Sequence, residues 1–541
     1  MNQQLSYQVK WAWSLTKGYR AKLSLFFLLE MLAIVLSLLF VYYSKKAVDI
    51  AMGTVNGNLK LVIALVILSA TMAVVIRLFS GLINEKNKLS MTVVLQNLLI
   101  KKQMYSVWKF VKQLHTGDLM IRINSDSVEV VQMLCNTALA FLITIIKLFA
   151  TLGLLWFFDP MLAFMIIAIS PLFLFSKIYF KRMRKLNQDV KSSESRIGNL
   201  MQENLRFRLI IRSLGLMSIR QHKFEDNQQQ SYQLKLDQLN FLTLTQGMMK
   251  FAISTGYLLT FIWGIYRLHS HQITFGTMTA FLQLIGRIQA PILSLIAFVP
   301  SFIRFRTSAE RLIELESVEQ DSGLVPKLLN DIKSIEFRDV SFRYEDSIVI
   351  DGFNAKIEVG RSTAVVGASG KGKTTFIRLL LALIKPGNGE IVIEGKHNRY
   401  SISSEHQLNF AYVPQGNILF TGTIAENLTV TDEPLSEDKL NDALYVACAE
   451  FVFDLPDGLN TKIGESGYGL SEGQAQRISI ARALMRDCNV WLFDEVTSAL
   501  DQKTASLLID RVLKAGKEKV VIFVTHDLLL AEKCSQTIHM N

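Results

Sequence analysis

The sequence has 541 residues, of which half are apolar and 19% charged, and it carries a formal net charge of +11. Its mean hydropathy is positive, unlike that of an ordinary soluble chain, and its length suits two or three domains. The positive charge alone would fit a nucleic-acid partner. Membrane proteins, however, carry excess Lys and Arg in cytoplasmic loops, so no nucleic acid is expected. Four scattered cysteines, Cys135, Cys448, Cys488 and Cys534, form no CxxC pair and no Cys/His cluster, which excludes a disulfide framework and a zinc site.

The N-terminus lacks the basic start, short apolar run and small-residue cleavage site of a signal peptide. It opens on an amphipathic stretch, Tyr7 to Tyr19, whose Trp11 and Trp13 suit a helix at the membrane interface. Six apolar runs follow that are long enough to cross a bilayer: Leu23–Tyr43, Leu61–Ile83, Leu134–Phe158, Met161–Phe180, Met248–Leu268 and Phe275–Phe298. Asp159-Pro160 leaves room only for a tight turn between the third and fourth. Two long connections, 84–133 and 181–247, have helix-forming compositions. The second is dense in Lys and Arg from Lys181 to Lys235. The positive-inside tendency places both in the cytoplasm, with both termini inside. They read as cytoplasmic extensions of the spans, turning near Gly117 and Gly215. Glu30, Arg77, Lys147 and Arg287 fall within spans. Such groups either pair between helices, snorkel to the interface, or line a substrate path.

The expected division is a membrane domain over 1–306, a linker over 307–330 and a soluble domain over 331–541. From about Ile332 short β-rich runs alternate with helical patterns: Ser334-Ile-Glu-Phe, Thr363-Ala-Val-Val, Ile391-Val-Ile, Val490-Trp-Leu-Phe and Val520-Val-Ile-Phe-Val. That alternation predicts an α/β domain with a largely parallel core sheet.

The strongest motif is Gly367-Ala368-Ser369-Gly370-Lys371-Gly372-Lys373-Thr374, followed by Thr375. It fits GxxxxGK[ST] between a strand and a helical run, Phe376–Leu383, and is the pattern of a P-loop. Glycines let backbone N–H groups curl around phosphate oxygens, and the helix N-terminus adds a favourable dipole. Lys373 is expected to bridge the β- and γ-phosphates, and the Thr374 hydroxyl to ligate Mg2+. The apolar strand Val490-Trp-Leu-Phe ends in Asp494 and Glu495. Asp494 is placed to hold Mg2+, and Glu495 to act as general base on the attacking water.

Between these motifs lies Leu470-Ser471-Glu472-Gly473-Gln474, which resembles the LSGGQ signature of ATP-binding cassette (ABC) transporters. Other elements match that family in order. Tyr344 resembles the aromatic that stacks on adenine. Gln415 resembles the glutamine that senses Mg2+ and the membrane part. Ser498-Ala-Leu-Asp501 resembles the D-loop, and His526 the switch histidine at the γ-phosphate. Thr461-Lys-Ile-Gly-Glu-Ser-Gly467, Ile418–Asn427 and His115-Thr-Gly-Asp-Leu resemble segments of the exporter branch, in which membrane part and ATPase are fused.

The resemblance implies a six-helix membrane domain joined to an ABC-type P-loop ATPase, using ATP and Mg2+. It implies a half-transporter that works as a homodimer or heterodimer, each ATP held between one phosphate loop and the other chain's signature. Lys373, Glu495 and His526 would be catalytic. The cargo would be a hydrophobic or amphipathic small molecule, lipid or peptide, exported across a bilayer, with a bacterial inner membrane as the expected location. An ATP-gated channel or regulator, or an importer on the same fold, are the alternatives. No peptidase-like segment precedes Leu23, which argues against leader cleavage. The sequence departs from the pattern in three places: Glu472 stands where the signature has glycine, Lys371 replaces a small residue, and the chain after His526 is short enough that the usual further strand is expected to be abbreviated.

Overall fold

The structure, a computed structural model, describes residues 2–108, 116–169, 176–321, 326–344, 347–368, 370–416, 418–429, 436–464 and 469–540. The chain divides into two units: Met1–Met104 with Leu114–Ser317, and Tyr105–Gln113 with Val318–Asn541.

The first unit is helical: α1 (Asn2–Leu15), α2 (Arg20–Ala51), α3 (Leu59–Met104), α4 (Asp118–Phe158), α5 (Pro160–Ile169), α6 (Ser176–Arg206), α7 (Met217–His269) and α8 (Phe275–Glu316). By length and composition α2, α3 and α4 can cross a membrane, as judged among the described residues. Part of the expected fourth span, 170–175, lies outside them. At 1.5 Å per residue the 46 residues of α3 extend about 70 Å. A hydrocarbon core takes up only about 30 Å of that, so α3 is far longer than a crossing requires; α7 is longer still, with 53 residues.

Local chemistry sets the breaks. Asp159 is 1% exposed, and its Oδ1 accepts the N–H groups of Met161 (3.0 Å) and Leu162 (3.2 Å), which starts α5 at Pro160. Its Oδ2 lies 3.6 Å from Arg267 on α7. Gly215, at φ +66°, makes the turn between the short helix Arg208–Ser213 and α7. Gly117 lies at the start of the helical segment Thr116–Ile121, close to the break that follows α3 at Met104. Trp11 Nε1–H donates to Glu316 at 2.5 Å, and Lys102 joins the same carboxylate at 2.7 Å. Trp13 is exposed. α4 contains two π-helical stretches, Arg122–Asp126 and Met133–Thr137. The first aims Arg122 at Asp118 and Glu314, both at 2.7 Å, while Asp126 meets Ser308 (2.9 Å) and Arg311 (3.2 Å) of α8. The apolar packing there is formed by Leu95, Leu99, Val130, Cys135, Leu312 and Leu315.

The second unit is α/β. Its strands are β1 (Ile332–Tyr344), β2 (Ser347–Glu358), β3 (Ser362–Val366), β4 (Asn388–Gly395), β5 (Arg399–Ser401), β6 (Phe410–Val413), β7 (Gly422–Thr423), β8 (Lys462–Ile463), β9 (Val490–Asp494), β10 (Val520–Thr525) and β11 (Gln536–His539). The core sheet is parallel, in the order β11-β3-β10-β9-β6. All six residues of β10 are buried, as expected of a parallel strand covered on both faces. The runs at Ser334 and Ile391 lie outside this sheet: β1 and β4 belong to a separate antiparallel one, β2-β1-β4-β5. The strand expected to be abbreviated is present, with β11 alongside β3. Phe376 is fully buried and stacks on Phe337 with centroids 4.9 Å apart, joining the two sheets beneath the phosphate loop.

Candidate nucleotide-binding site

The phosphate loop leaves β3 and enters helix α9 (Lys373–Leu380). Gly370 and Gly372 have φ of +84° and +87°, a conformation that glycine adopts without a Cβ penalty. A Cβ on Gly372 would also stand 3.1 Å from the Val349 carbonyl. Thr375 is buried, while Lys371 and Thr374 are exposed. Ser369 lies outside the described residues, as do Glu465, Ser466 and Gly467 of the segment before the signature.

A cavity of about 640 Å³ opens at this loop. Gly370, Gly372, Lys373, Thr374, Thr375, Gln415, Glu495 and His526 line it, together with Val349. Residues drawn from five separate segments therefore converge. The Glu495 carboxylate is their meeting point. Gln415 Nε2 donates to it at 2.6 Å, His526 Nδ1 lies 3.2 Å away, and Lys373 Nζ is at 3.6 Å. Lys373 also donates to the Gly367 carbonyl at 2.8 Å. Glu495 has φ +49°, a strained conformation for a residue with a Cβ. Its backbone is held by Val524, by Ser498 and by the Gln476 side chain.

Asp494 ends β9 and accepts from the Tyr412 hydroxyl at 3.4 Å. Burial and the neighbouring Glu495 carboxylate push its carboxyl up to about 6. A carboxylate so desolvated gains most from a cation. Thr374 and Gln415 line the cavity and Asp494 does not; all three carry the oxygen donors that Mg2+ prefers.

Other expected residues stand apart from the cavity. Tyr344 does not line it; its hydroxyl accepts from Arg378 at 2.9 Å and its ring meets Phe342 edge-on. Gly367, Ala368, Lys371, Ser471, Gly473, Gln474, Asp494 and Asp501 are also absent from the lining. Ser471 caps helix α10 (Glu472–Leu484): its Oγ accepts from Gln474 N at 3.2 Å, and Gln474 Oε1 accepts from Ser471 N at 2.9 Å. Glu472 is exposed. Asp501 caps helix α11 (Gln502–Ala515) through the N–H groups of Lys503 and Thr504. A hydrogen bond with the Thr504 side chain, and then those backbone bonds, hold its carboxyl below the usual range. Val349, Tyr412 and Gln476 were not expected at the site. Their only sequence signal is closeness to strands and motifs already marked, and the contacts themselves are made by folding.

A parallel α/β core with a P-loop at the carboxyl end of one strand and an acidic pair at the end of another defines a nucleotide-binding domain. Residues 350–498 match the ABC transporter family model, and residues 23–292 match that of the ABC transporter transmembrane region. The chain belongs to the ABC transporter family, with an N-terminal helical transmembrane region followed by an ABC nucleotide-binding domain. It is 28% identical over 403 residues to an alpha-hemolysin translocation ATP-binding protein, HlyB, of Escherichia coli O157:H7, covering 72% of this chain and 56% of the relative. It is 28% identical over 444 residues to a probable multidrug resistance ATP-binding/permease protein, YheH, of Bacillus subtilis, covering 79% and 66%. The match thus spans about 56–66% of the length of these curated relatives. A solved bacterial Atm1-family ABC exporter with ATP bound shares the fold, with a TM-score of 0.81 at 21% identity, covering 96% of this chain and 93% of that one.

Proposed function

We propose that this chain is one half of an ATP-driven exporter that hydrolyses ATP and moves a hydrophobic or amphipathic cargo outward across a membrane. The observation that carries the reading is the convergence of Gln415, His526 and Lys373 on the Glu495 carboxylate at the rim of the phosphate-loop cavity. Backbone N–H groups of 367–375 cradle the phosphates of ATP, and Lys373 turns from Gly367 to meet them. Thr374, Asp494 and Gln415 would hold Mg2+, which would supply neutralising charge to the phosphates. Glu495 then accepts the proton of the attacking water, and His526, freed from it, faces the γ-phosphate. Tyr344 reaches an adenine only by leaving Arg378.

Ser471, Gly473 and Gln474 complete the site of a second chain, which makes the working unit a dimer, with an identical or a related chain. ATP favours the closed dimer only by binding it better than the open form. Toxin translocation and multidrug resistance in the names of the relatives agree with export and leave the cargo broad. A bacterial inner membrane, with the nucleotide-binding domain in the cytoplasm, is the matching location.

The test is ATP hydrolysis by the full chain in liposomes beside Glu495→Gln. Removing a general base lowers turnover about 10²–10⁴-fold, and ATP binding is expected to persist. Equal turnover in both proteins would remove Glu495 from the mechanism. Absent turnover in the wild type would call for a different partner chain.

A further inference from the structure

Glu495, the carboxylate on which Gln415, His526 and Lys373 converge, has a backbone that it would not adopt alone. Its φ of +49° brings Cβ too close to a carbonyl oxygen. A residue in that region persists only where its surroundings over-determine it. Three elements do so here. The Glu495 N–H donates to the Val524 carbonyl of β10 at 2.9 Å. The Glu495 carbonyl accepts from the N–H of Ser498 at 3.2 Å and from its Oγ at 2.9 Å. It accepts as well from Gln476 Nε2, on α10, at 3.2 Å. The Ser498 bonds close within the turn and move with it. Among the described residues, Gln476 alone holds that carbonyl from outside the turn.

An amide is an odd choice for the place that Gln476 occupies. The residue is 2% exposed, yet its Oε1 has no hydrogen-bond partner among the described residues. A buried amide with half of its bonding unmet lowers stability. An apolar side chain of the same length would fill the space without that loss, so packing does not account for the glutamine. What the amide adds is a donor aimed at the Glu495 carbonyl. Rotation about the Glu495 N–Cα bond carries Cβ and the carboxylate with it. The angle that Gln476 helps to hold is therefore the one that keeps the carboxylate 2.6 Å from Gln415 Nε2 and 3.2 Å from His526 Nδ1.

We propose that Gln476 is a positioning residue for ATP hydrolysis: it holds Glu495 in its left-handed turn and so keeps the carboxylate aimed into the phosphate-loop cavity. The helix that carries Ser471, Gly473 and Gln474 thereby also sets the carboxylate of its own chain. The proposal rests on the reading of Glu495 as general base.

The test compares the wild type, Gln476→Met, Glu495→Gln and the double variant, each as the full chain in liposomes. For each, kcat, KM, ATP binding and the unfolding temperature are measured. Methionine keeps the length of the side chain and removes the donor. The lost hydrogen bond is expected to lower kcat about 2–10-fold, with KM and ATP affinity within about 2-fold of the wild type. The unfolding temperature should hold or rise, because the Glu495 carbonyl keeps its Ser498 donors and the unpartnered Oε1 is gone. Misfolding would move it the other way. In the Glu495→Gln background the same substitution should change the residual single-turnover rate by less than about 2-fold, since its effect runs through the carboxylate. Gln476→Asn, which keeps the amide but draws it back by one methylene, is the second variant and should repeat the split between kcat and KM. An equal fall in both backgrounds, a change confined to KM, or full turnover in both Gln476 variants would overturn the proposal and leave Glu495 as the base. Wild-type turnover in Glu495→Gln would instead remove the base reading, and the proposal with it.

Discussion

Gly473 lies in the first turn of α10, where replacing glycine by alanine ordinarily stabilises a helix by about 0.5–1 kcal/mol. The structure reverses that sign. A Cβ built on Gly473 would stand 2.7 Å from the Ala499 carbonyl oxygen and 3.2 Å from a Leu500 methyl. The first contact is with backbone, so no side-chain rotation relieves it, and such overpacking costs about 1–3 kcal/mol. The balance for Gly473→Ala is a loss of about 1–2 kcal/mol. Hydrogen exchange of the amides in Glu472–Leu484 is the assay, and a loss of that size lowers protection about 5–30-fold. Gly198→Ala is the control, because Gly198 sits within α6 with nothing within 4 Å of its Cβ position; protection there should rise. The same displacement pushes on the segment carrying Ser498 and Asp501, so ATP turnover should fall as well. Unchanged or increased protection around Gly473 would refute the contact argument.

Phe376→Ala removes a fully buried ring stacked on Phe337 and should cost about 3–5 kcal/mol, read as a lowered unfolding temperature with weakened ATP binding. Asp159→Ala removes the cap of α5 and the partner of Arg267, a loss of about 1–2 kcal/mol from the cap alone, read as lowered thermal stability in detergent. Burial pushes the Cys534 thiol up to about 11. Maleimide labelling at pH 8 should therefore be slow in the folded chain, with Cys534→Ser as the reference. Because the thiol ionises more readily when unfolded, its contribution to stability is complete below its ordinary value of 9.0 and is lost as pH rises toward 11. Labelling at the rate of a free thiol would contradict this burial. Lys371 and Glu472 are both exposed; if they face each other across a homodimer, Lys371→Glu and Glu472→Lys should each lower ATP turnover and the double variant restore it, whereas independent effects would separate them.

The phosphate loop and the Asp494-Glu495 pair were legible in the sequence because their chemistry is contiguous: a glycine-rich run and a strand end each carry their meaning within a few residues. Gln415 and His526 were legible only through resemblance, since a lone Gln or His has no pattern of its own. What brings them together is the register of β6, β9 and β10, which fixes the ends of three strands at one edge. The antiparallel sheet escaped notice because Ser334–Phe337 and Ile391–Ile393 have the same apolar texture as parallel strands, and pairing is a long-range property. The partner of Trp11 is hidden in the sequence for a similar reason. An amphipathic stretch with tryptophans suits an interface, but Glu316, 305 residues away, supplies a hydrogen-bond acceptor. The clash that forbids a side chain at Gly473 is set by Ala499, and no local pattern announces it.

The uninterrupted length of α3 has a mechanical consequence. A helix of 46 residues with one end held acts as a pointer about 70 Å long, and a tilt of only about 5° swings its tip by about 6 Å. Gearing of this kind trades force for distance: a shift of barely an ångström among side chains near the pivot becomes a displacement wider than a helix radius at the far end. The two short-pitched irregularities in α4 give its neighbour what α3 lacks, places where the rod can yield.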